Sequence, residues 1–207
     1  MNVARILYPV EVLGPGKRIG IWFAGCSHHC AGCSNPELWE MKPEYEISVD
    51  RLVSLLCQGF LNLQVDGLTL TGGDPFFQSR ELASFLMQMR RWTNDILVYT
   101  GYTYDELLGM RDSHIEKCLS YIDVLIDGRY EESLNDGFPL RGSSNQKVIY
   151  LSHKLKSEYE AYVTVQRNSI QNFASQDGVI SVGIHKPGFL DDVNAGLKQK
   201  GLVITDG

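Results

Sequence analysis

Apolar positions along this chain change their spacing repeatedly. Arg18 to Ala24 is a short apolar run that stops at Gly25 and predicts a strand. Ser48 is placed to cap a helix that carries Leu52, Leu55 and Leu56 and ends near Gly59. Gly67 to Thr71 predicts a second strand, which breaks into Gly72-Gly73-Asp74-Pro75. From Arg80 to Trp92 the apolar residues Leu82, Phe85, Leu86 and Met89 return at helical spacing. Ile96 to Thr100 reads as a third strand, and Thr103-Tyr104-Asp105-Glu106 has the form of a capping box opening another helix. Val124 to Ile126 and Lys147 to Leu151 complete the strands of this part. Strands alternating with helices imply an α/β fold whose parallel sheet is joined by right-handed crossovers. Ligands in such folds gather at the carboxyl ends of strands. The loop after the first strand, Gly72-Gly73-Asp74, Thr100-Gly101 and Asp127-Gly128 are therefore expected to face one mouth.

Beyond about residue 152 the pattern changes. Tyr159 to Val165 alternates like a strand, and Val179 to Ile184 predicts another. Pro187-Gly188 opens a helix to about Gln199, with Asp191 and Asp192 early and Lys198 and Lys200 late, as the helix dipole favours. Gly201 stops it, and Leu202-Val203-Ile204 reads as a closing strand. The expected organisation is a core over residues 1–151 and a small folded α/β appendage over residues 152–207.

Composition narrows the class. A chain of 207 residues suits one domain with a sizeable core, and 43% hydrophobic residues is ordinary for a globular protein. No apolar run approaches the roughly 18 residues needed to span a membrane. The net charge of −6, without a Lys/Arg cluster, argues against nucleic acid as a partner. Reduced cysteines and the lack of an export signal point to the cytoplasm.

The candidate chemistry begins with Cys26, Cys30 and Cys33, spaced C-x3-C-x2-C. Three thiolates can hold three irons of a cubane iron–sulfur cluster and leave the fourth open. An open coordination position is where metal-centred chemistry happens. Half of a zinc site is the competing reading, but structural zinc usually brings a second C-x2-C knuckle, and Cys57 and Cys118 stand alone in apolar, helix-like stretches. Both read as buried small hydrophobes. A disulfide framework is disfavoured by the odd count of 5 cysteines, three of them crowded into one loop. Further along, Gly72 and Gly73 expose backbone for close approach to a ligand, and Asp74 adds an acceptor for a cation such as an amino group.

Together these motifs resemble the radical S-adenosylmethionine (SAM) superfamily. Cys26, Cys30 and Cys33 match its cluster motif, and Gly72-Gly73-Asp74-Pro75 matches the segment that binds the SAM amino group, with Asp74 where Glu is usual. Gly32 stands where many members carry an aromatic residue. The chain is more closely similar to the activating proteins of anaerobic ribonucleotide reductase. Tyr8-Pro9-Val10, Gly14-Pro15-Gly16-Lys17-Arg18, Cys30-Ala31-Gly32-Cys33-Ser34-Asn35-Pro36 with Trp39, and Tyr99-Thr100-Gly101-Tyr102 carry that likeness. Asp123-Val124-Leu125-Ile126-Asp127-Gly128 and Arg141-Gly142-Ser143-Ser144-Asn145-Gln146 are its most specific matches. The likeness covers about residues 1 to 150; the short form of the family has no counterpart to the rest.

The resemblance implies an open, partial β/α barrel of the radical SAM type. It implies a [4Fe–4S] cluster on Cys26, Cys30 and Cys33, and SAM bound by Gly72, Gly73 and Asp74, with backbone contacts from Gly32 and Ser34. A reduced cluster would give one electron to the SAM sulfonium, releasing methionine and a 5′-deoxyadenosyl radical. That radical would take a hydrogen from a glycine of a glycyl radical enzyme, anaerobic ribonucleoside-triphosphate reductase, after reduction by a flavodoxin-like donor. No acid–base pair is needed, and no Ser/His/Asp or Cys/His arrangement is visible. The alternatives are a radical SAM enzyme acting on another glycyl radical enzyme or a small molecule, as in 7-carboxy-7-deazaguanine synthesis, and a non-catalytic iron–sulfur or zinc protein. His28 and His29 read first as solvated loop residues. Asp127 reads equally as a ribose ligand and a turn former. Arg141 and Asn145 read as functional loop residues, and Lys17 and Arg18 as contacts for an acidic partner.

Overall fold

The structure, a computed structural model, describes residues 1–166, 168–175 and 178–199. In chain order the elements of the first part are β1 (Val3–Val10), β2 (Arg18–Phe23), α1 (Val49–Gly59), β3 (Gly67–Gly72), α2 (Ser79–Met89), β4 (Ile96–Tyr99), α3 (Tyr104–Gly109), α4 (Ser113–Tyr121), β5 (Val124–Asp127) and β6 (Lys147–Tyr150). After them come α5 (Lys156–Val165), β7 (Ile170–Ser175), β8 (Gly178–Gly183) and α6 (Phe189–Gln199).

The helices start where their caps dictate. Ser48 Oγ accepts from Arg51 N and opens α1. Thr103 and Glu106 form a complete capping box at α3. The apolar stripe of α2 buries Leu82, Phe85, Leu86 and Met89.

β1 to β6 form one six-stranded sheet in sequence order. β2, β3, β4 and β5 run parallel. β1 and β6 flank them antiparallel. The fold is thus mixed α/β with a parallel-rich sheet, and the expectation that the last strand continues the parallel series is corrected. β6 follows a loop rather than a crossover helix, so it turns back along β5. β1 is a strand that the pattern does not announce. It is partly buried along most of its length, carries Pro9, and slips register twice against β2, so no period of two marks it.

The sheet has two covered faces. Ile19, Ile21, Phe23, Leu68, Leu70, Ile96, Val98 and Leu125 pack with residues of α1, α2 and α4 in the main core. Cys118 of α4 is buried there as a small hydrophobe, and burial pushes its thiol up to about 12. The other face carries Leu97, Val124 and Ile126, which pack against Tyr159. It also carries Trp22, which packs with Val10, Leu38 and Val182. The residues after 152 therefore cover the face that the other helices leave bare.

Tyr159–Val165, expected as a strand, lies in α5. Its β-branched Val163, Thr164 and Val165 imitate a strand pattern, but Tyr159, Tyr162 and Val163 sit at helical spacing and pack against the sheet. The expected strand at Val179–Ile184 is β8, which pairs antiparallel with β7, a strand the sequence does not signal. The expected helix to Gln199 is α6. The expected stop at Gly201 and closing strand Leu202-Val203-Ile204 lie outside the described residues. Among the described residues no helix is long and apolar enough to cross a membrane.

One polar knot ties the amino ends of the parallel strands. Arg18, fully buried, pairs with Asp95 through both guanidinium ends, and donates to Thr69 Oγ1 (2.7 Å), Leu68 O (2.7 Å) and Pro15 O (3.1 Å). Tyr159 OH donates to Asp95 Oδ1 at 2.7 Å. Arg18 is therefore not a surface contact for an acidic partner: every donor it has is used inside.

Candidate functional site

The carboxyl end of β2 is held open by backbone pairing. Gly25 N donates to Leu38 O (2.9 Å) and Cys26 N to Trp39 O (2.8 Å), so the chain leaves and returns at one point with the three cysteines between. β3 ends against the same point. Gly73 N donates to Phe23 O (2.7 Å) and Asp74 N to Gly25 O (2.8 Å). This contact leaves no room for side chains. A Cβ on Gly72, at φ +106°, would sit 2.5 Å from Phe23 O, and one on Gly73 would sit 2.6 Å from Gly25 O. The two glycines are required by the approach of β2 and β3.

Cys26, Cys30 and Cys33 are free thiols, partly buried, on this loop. They line a cavity of about 570 Å³. Gly32, Ser34, Gly72 and Gly73 line the same cavity, as do Thr100, Gly101 and Gly128 after β4 and β5. The carboxyl ends of all four parallel strands thus contribute to one chamber. Asp74 does not line it. Asp74 is buried behind the wall, where Oδ1 accepts from Phe76 N (2.9 Å) and Oδ2 accepts from Gly101 N (3.0 Å). Thr100 Oγ1 lies 3.1 Å and 3.0 Å from its two oxygens, and His28 Nε2 lies 2.9 Å from Oδ2. Arg129 Nε donates to His28 Nδ1 at 3.3 Å, which leaves the Nε2 hydrogen for Asp74. The carboxylate therefore ties the cysteine loop, β3 and β4 together.

The donor set suits a cluster. Burial pushes the Cys26 and Cys30 thiols up, so a thiolate at either position needs a cation to compensate it. Three thiolates on one loop, each able to take its own iron, are what a cubane with one free corner requires. Among the described residues no group of three or more His, Cys, Asp or Glu side chains is arranged around one metal ion. Trp39 lines the cavity, and its Nε1 is buried without a hydrogen-bond partner among the described residues.

Other residues singled out in the sequence have structural partners. Asp127 accepts from Tyr104 N (2.8 Å) and Lys147 N (3.0 Å), which ties the end of β5 to the start of α3 and to β6 rather than closing a local turn. Asp123 pairs with Arg90 and accepts from Ile96 N at 2.9 Å. Arg141 pairs with Asp136, and Asn145 Nδ2 donates to Arg129 O at 2.8 Å. Of that loop, Gly142 and Gln146 reach the cavity. His29 is exposed and tilts against Trp39, whereas the His28 side chain is only 4% exposed, contrary to the expectation of a solvated loop. Nothing in the sequence signals the His28–Asp74 link, because loop residues carry no period. The sequence also does not signal that Val182, His185 and Phe189 line the cavity from the far end of the chain.

Residues 12–149 match the family described as 4Fe-4S single cluster domain. The anaerobic ribonucleoside-triphosphate reductase-activating protein of Enterobacteria phage T4 is 37% identical over 153 residues, covering 72% of this chain and 93% of that protein. The chain belongs to this family of activating proteins. The Vibrio cholerae member is 34% identical over 150 residues, covering 68% of this chain and 93% of its own. Among solved structures, QueE from Escherichia coli aligns over 49% of this chain and 52% of its own, at 18% identity and a TM-score of 0.41. The cysteine loop, the glycine pair and Asp74 all fall within the matched 4Fe-4S domain, which ends before α5.

Proposed function

We propose that this chain is a radical SAM activase that generates a glycyl radical on anaerobic ribonucleoside-triphosphate reductase. The observation that carries the reading is the shared cavity, in a chain of the activating family, of three cysteines on one loop and a glycine pair on the adjoining strand end. Cys26, Cys30 and Cys33 would hold a [4Fe–4S] cluster by three of its irons. Bound together, the cluster and SAM supply a one-electron cleavage of the sulfonium and the hydrogen abstraction that follows.

The chain's own residues orient and shelter that chemistry. The backbone of Gly72 and Gly73, which lines the cavity beside the cysteine loop, receives the methionine end of SAM. Gly32 and Ser34 add backbone contacts beside the ligand cysteines. Asp74 acts one step back: its oxygens fix Thr100, Gly101 and His28, and so fix the walls against which SAM lies. The strands would form an open partial β/α barrel, with residues 1–151 as the core and residues 152–207 as an appendage. A flavodoxin-like protein in the cytoplasm would supply the electron.

The test is anaerobic. Reconstituted protein, reduced with dithionite or flavodoxin, is expected to convert SAM to 5′-deoxyadenosine and methionine and to raise a glycyl radical in the partner reductase, read by electron paramagnetic resonance. No SAM cleavage by cluster-loaded protein would overturn the reading. Cleavage without a radical on the reductase would redirect it to another substrate.

A further inference from the structure

Given the SAM reading of this cavity, the chain after β6 becomes part of the binding site. The cysteines account for one part of the chamber, and Gly72 and Gly73 for the methionine end. Another part of its lining comes from β8 and the turn that follows it, including Val182, His185 and Phe189. This segment is fixed in place. Val182 is buried with Trp22 and Leu38. His185 O accepts from Asn135 Nδ2 at 2.8 Å, and the same nitrogen lies 3.2 Å from Tyr130 OH. Tyr130 in turn stands 3.3 Å from the position of a Cβ on Gly32. The turn is thereby tethered beside the cysteine loop.

What this wall offers a ligand is specific. The His185 and Phe189 rings stack with centroids 4.3 Å apart and planes 10° from parallel. His185 lines the cavity, and its Nε2 is buried without a hydrogen-bond partner among the described residues. Burial lowers the His185 pKa, which favours the uncharged ring. A neutral imidazole with one unused nitrogen, backed by a second ring, suits a flat, uncharged heterocycle with its own donors and acceptors. The ring pair itself brings no charge to a carboxylate or a sulfonium; the charged residues that this segment adds to the lining are Lys186 and Asp191.

We propose that His185, supported by Phe189, is a binding residue for the nucleoside portion of SAM, supplied by a segment beyond the matched family domain. In this arrangement the segment closes the chamber over the adenosyl group while the cluster loop holds the other end.

The experiment uses the full-length, cluster-loaded protein under anaerobic conditions. Binding of SAM, 5′-deoxyadenosine and L-methionine is measured separately by equilibrium dialysis, with iron content determined in parallel. His185→Ala is expected to weaken SAM and 5′-deoxyadenosine by about fivefold, the value of one neutral hydrogen bond, and to leave L-methionine binding and iron content unchanged. His185→Asn, which keeps a polar group, is expected to recover part of the loss. Phe189→Leu is expected to weaken the same two ligands. Unchanged 5′-deoxyadenosine affinity in His185→Ala would overturn the assignment, and so would equal losses for all three ligands or a loss of iron. Cluster-loaded wild-type protein that binds neither SAM nor 5′-deoxyadenosine would overturn both this assignment and the SAM reading. SAM binding that survives the His185 substitutions would overturn this assignment alone.

Discussion

The two ends of the parallel strands each bury a carboxylate, and they use it differently. At the amino ends, Asp95 meets Arg18 and Tyr159, and Arg18 spends its remaining donors on Thr69, Leu68 and Pro15. At the carboxyl ends, Asp74 is equally saturated, by Phe76, Thr100, Gly101 and His28. The difference lies in what surrounds them. The amino-end knot is packed through by Tyr159, fully buried against Leu97, Val124 and Ile126. The carboxyl-end junction backs a chamber lined by Trp39 and His185, whose Nε1 and Nε2 have no hydrogen-bond partner among the described residues. One end is built to hold and the other to receive. A buried charge network alone does not mark a functional site; unspent hydrogen-bonding capacity beside a cavity does.

The comparison can be broken in four places. Replacing Cys26, Cys30 or Cys33 by Ala is expected to abolish a cluster of about four irons and four sulfides per chain, while Cys57→Ala and Cys118→Ala retain it. Iron and sulfide analysis after anaerobic reconstitution checks this, and a single tightly held zinc would refute it.

Next in size is Asp95→Ala. It strands the buried Arg18 charge and is expected to cost about 3–5 kcal/mol in urea unfolding. The SAM affinity of the folded fraction should not change, since of the residues hydrogen-bonded in this knot only Leu13, whose carbonyl accepts from Thr69 Oγ1, lines the chamber.

Asp74→Ala should invert that profile. Loss of charge-assisted hydrogen bonds worth roughly 1.5–3 kcal/mol lets the cysteine loop and the 100–101 turn drift, which predicts SAM binding weaker by about ten- to a hundredfold. If Asp74→Ala instead destabilises the fold as Asp95→Ala does and leaves SAM binding intact, the two ends are alike and the contrast fails.

The smallest effect is Tyr159→Phe, which removes one hydrogen bond to Asp95 and should cost about 1 kcal/mol near neutral pH. Burial raises the Tyr159 pKa well above that of an unfolded tyrosine. Its stabilising contribution is therefore complete below the unfolded value of about 10 and is lost as pH rises toward the folded one. The urea midpoints of the wild type and Tyr159→Phe should converge above about pH 10. Parallel curves to higher pH would show that the hydroxyl is not buried as described.

Much of the fold is legible from apolar spacing. Leu52 and Leu56, the Leu82–Met89 stripe and the Thr103–Glu106 cap locate α1, α2 and α3 because each obeys local rules. β1 is hidden because its residues face partners on both sides and its register slips. The direction of β6 is hidden because a strand's residue pattern is the same read either way. α5 is misread because three residues at its C-terminal end favour strands while the buried Tyr159 and the half-buried Tyr162 define a helix. At the site, the cysteines and the glycine pair are visible as motifs, since spacing and lack of side chains are sequence properties. The partners of Asp74 are not, because His28 and Thr100 reach it from other strand ends. His185 is still less visible, being a lone histidine whose meaning comes only from the cavity it lines.

The antiparallel return of β6 has a consequence for how such a chain can be lengthened. It hands the chain back at the amino ends of the parallel strands, far from the cysteines. Whatever follows must cross the bare face of the sheet to reach them, as α5 and β8 do through Tyr159 and Val182. Added length at this point is laid over that face of the sheet and reaches the chamber wall. It sets how much room remains around the reacting groups, and it does so without altering a residue of the loop that carries the thiols.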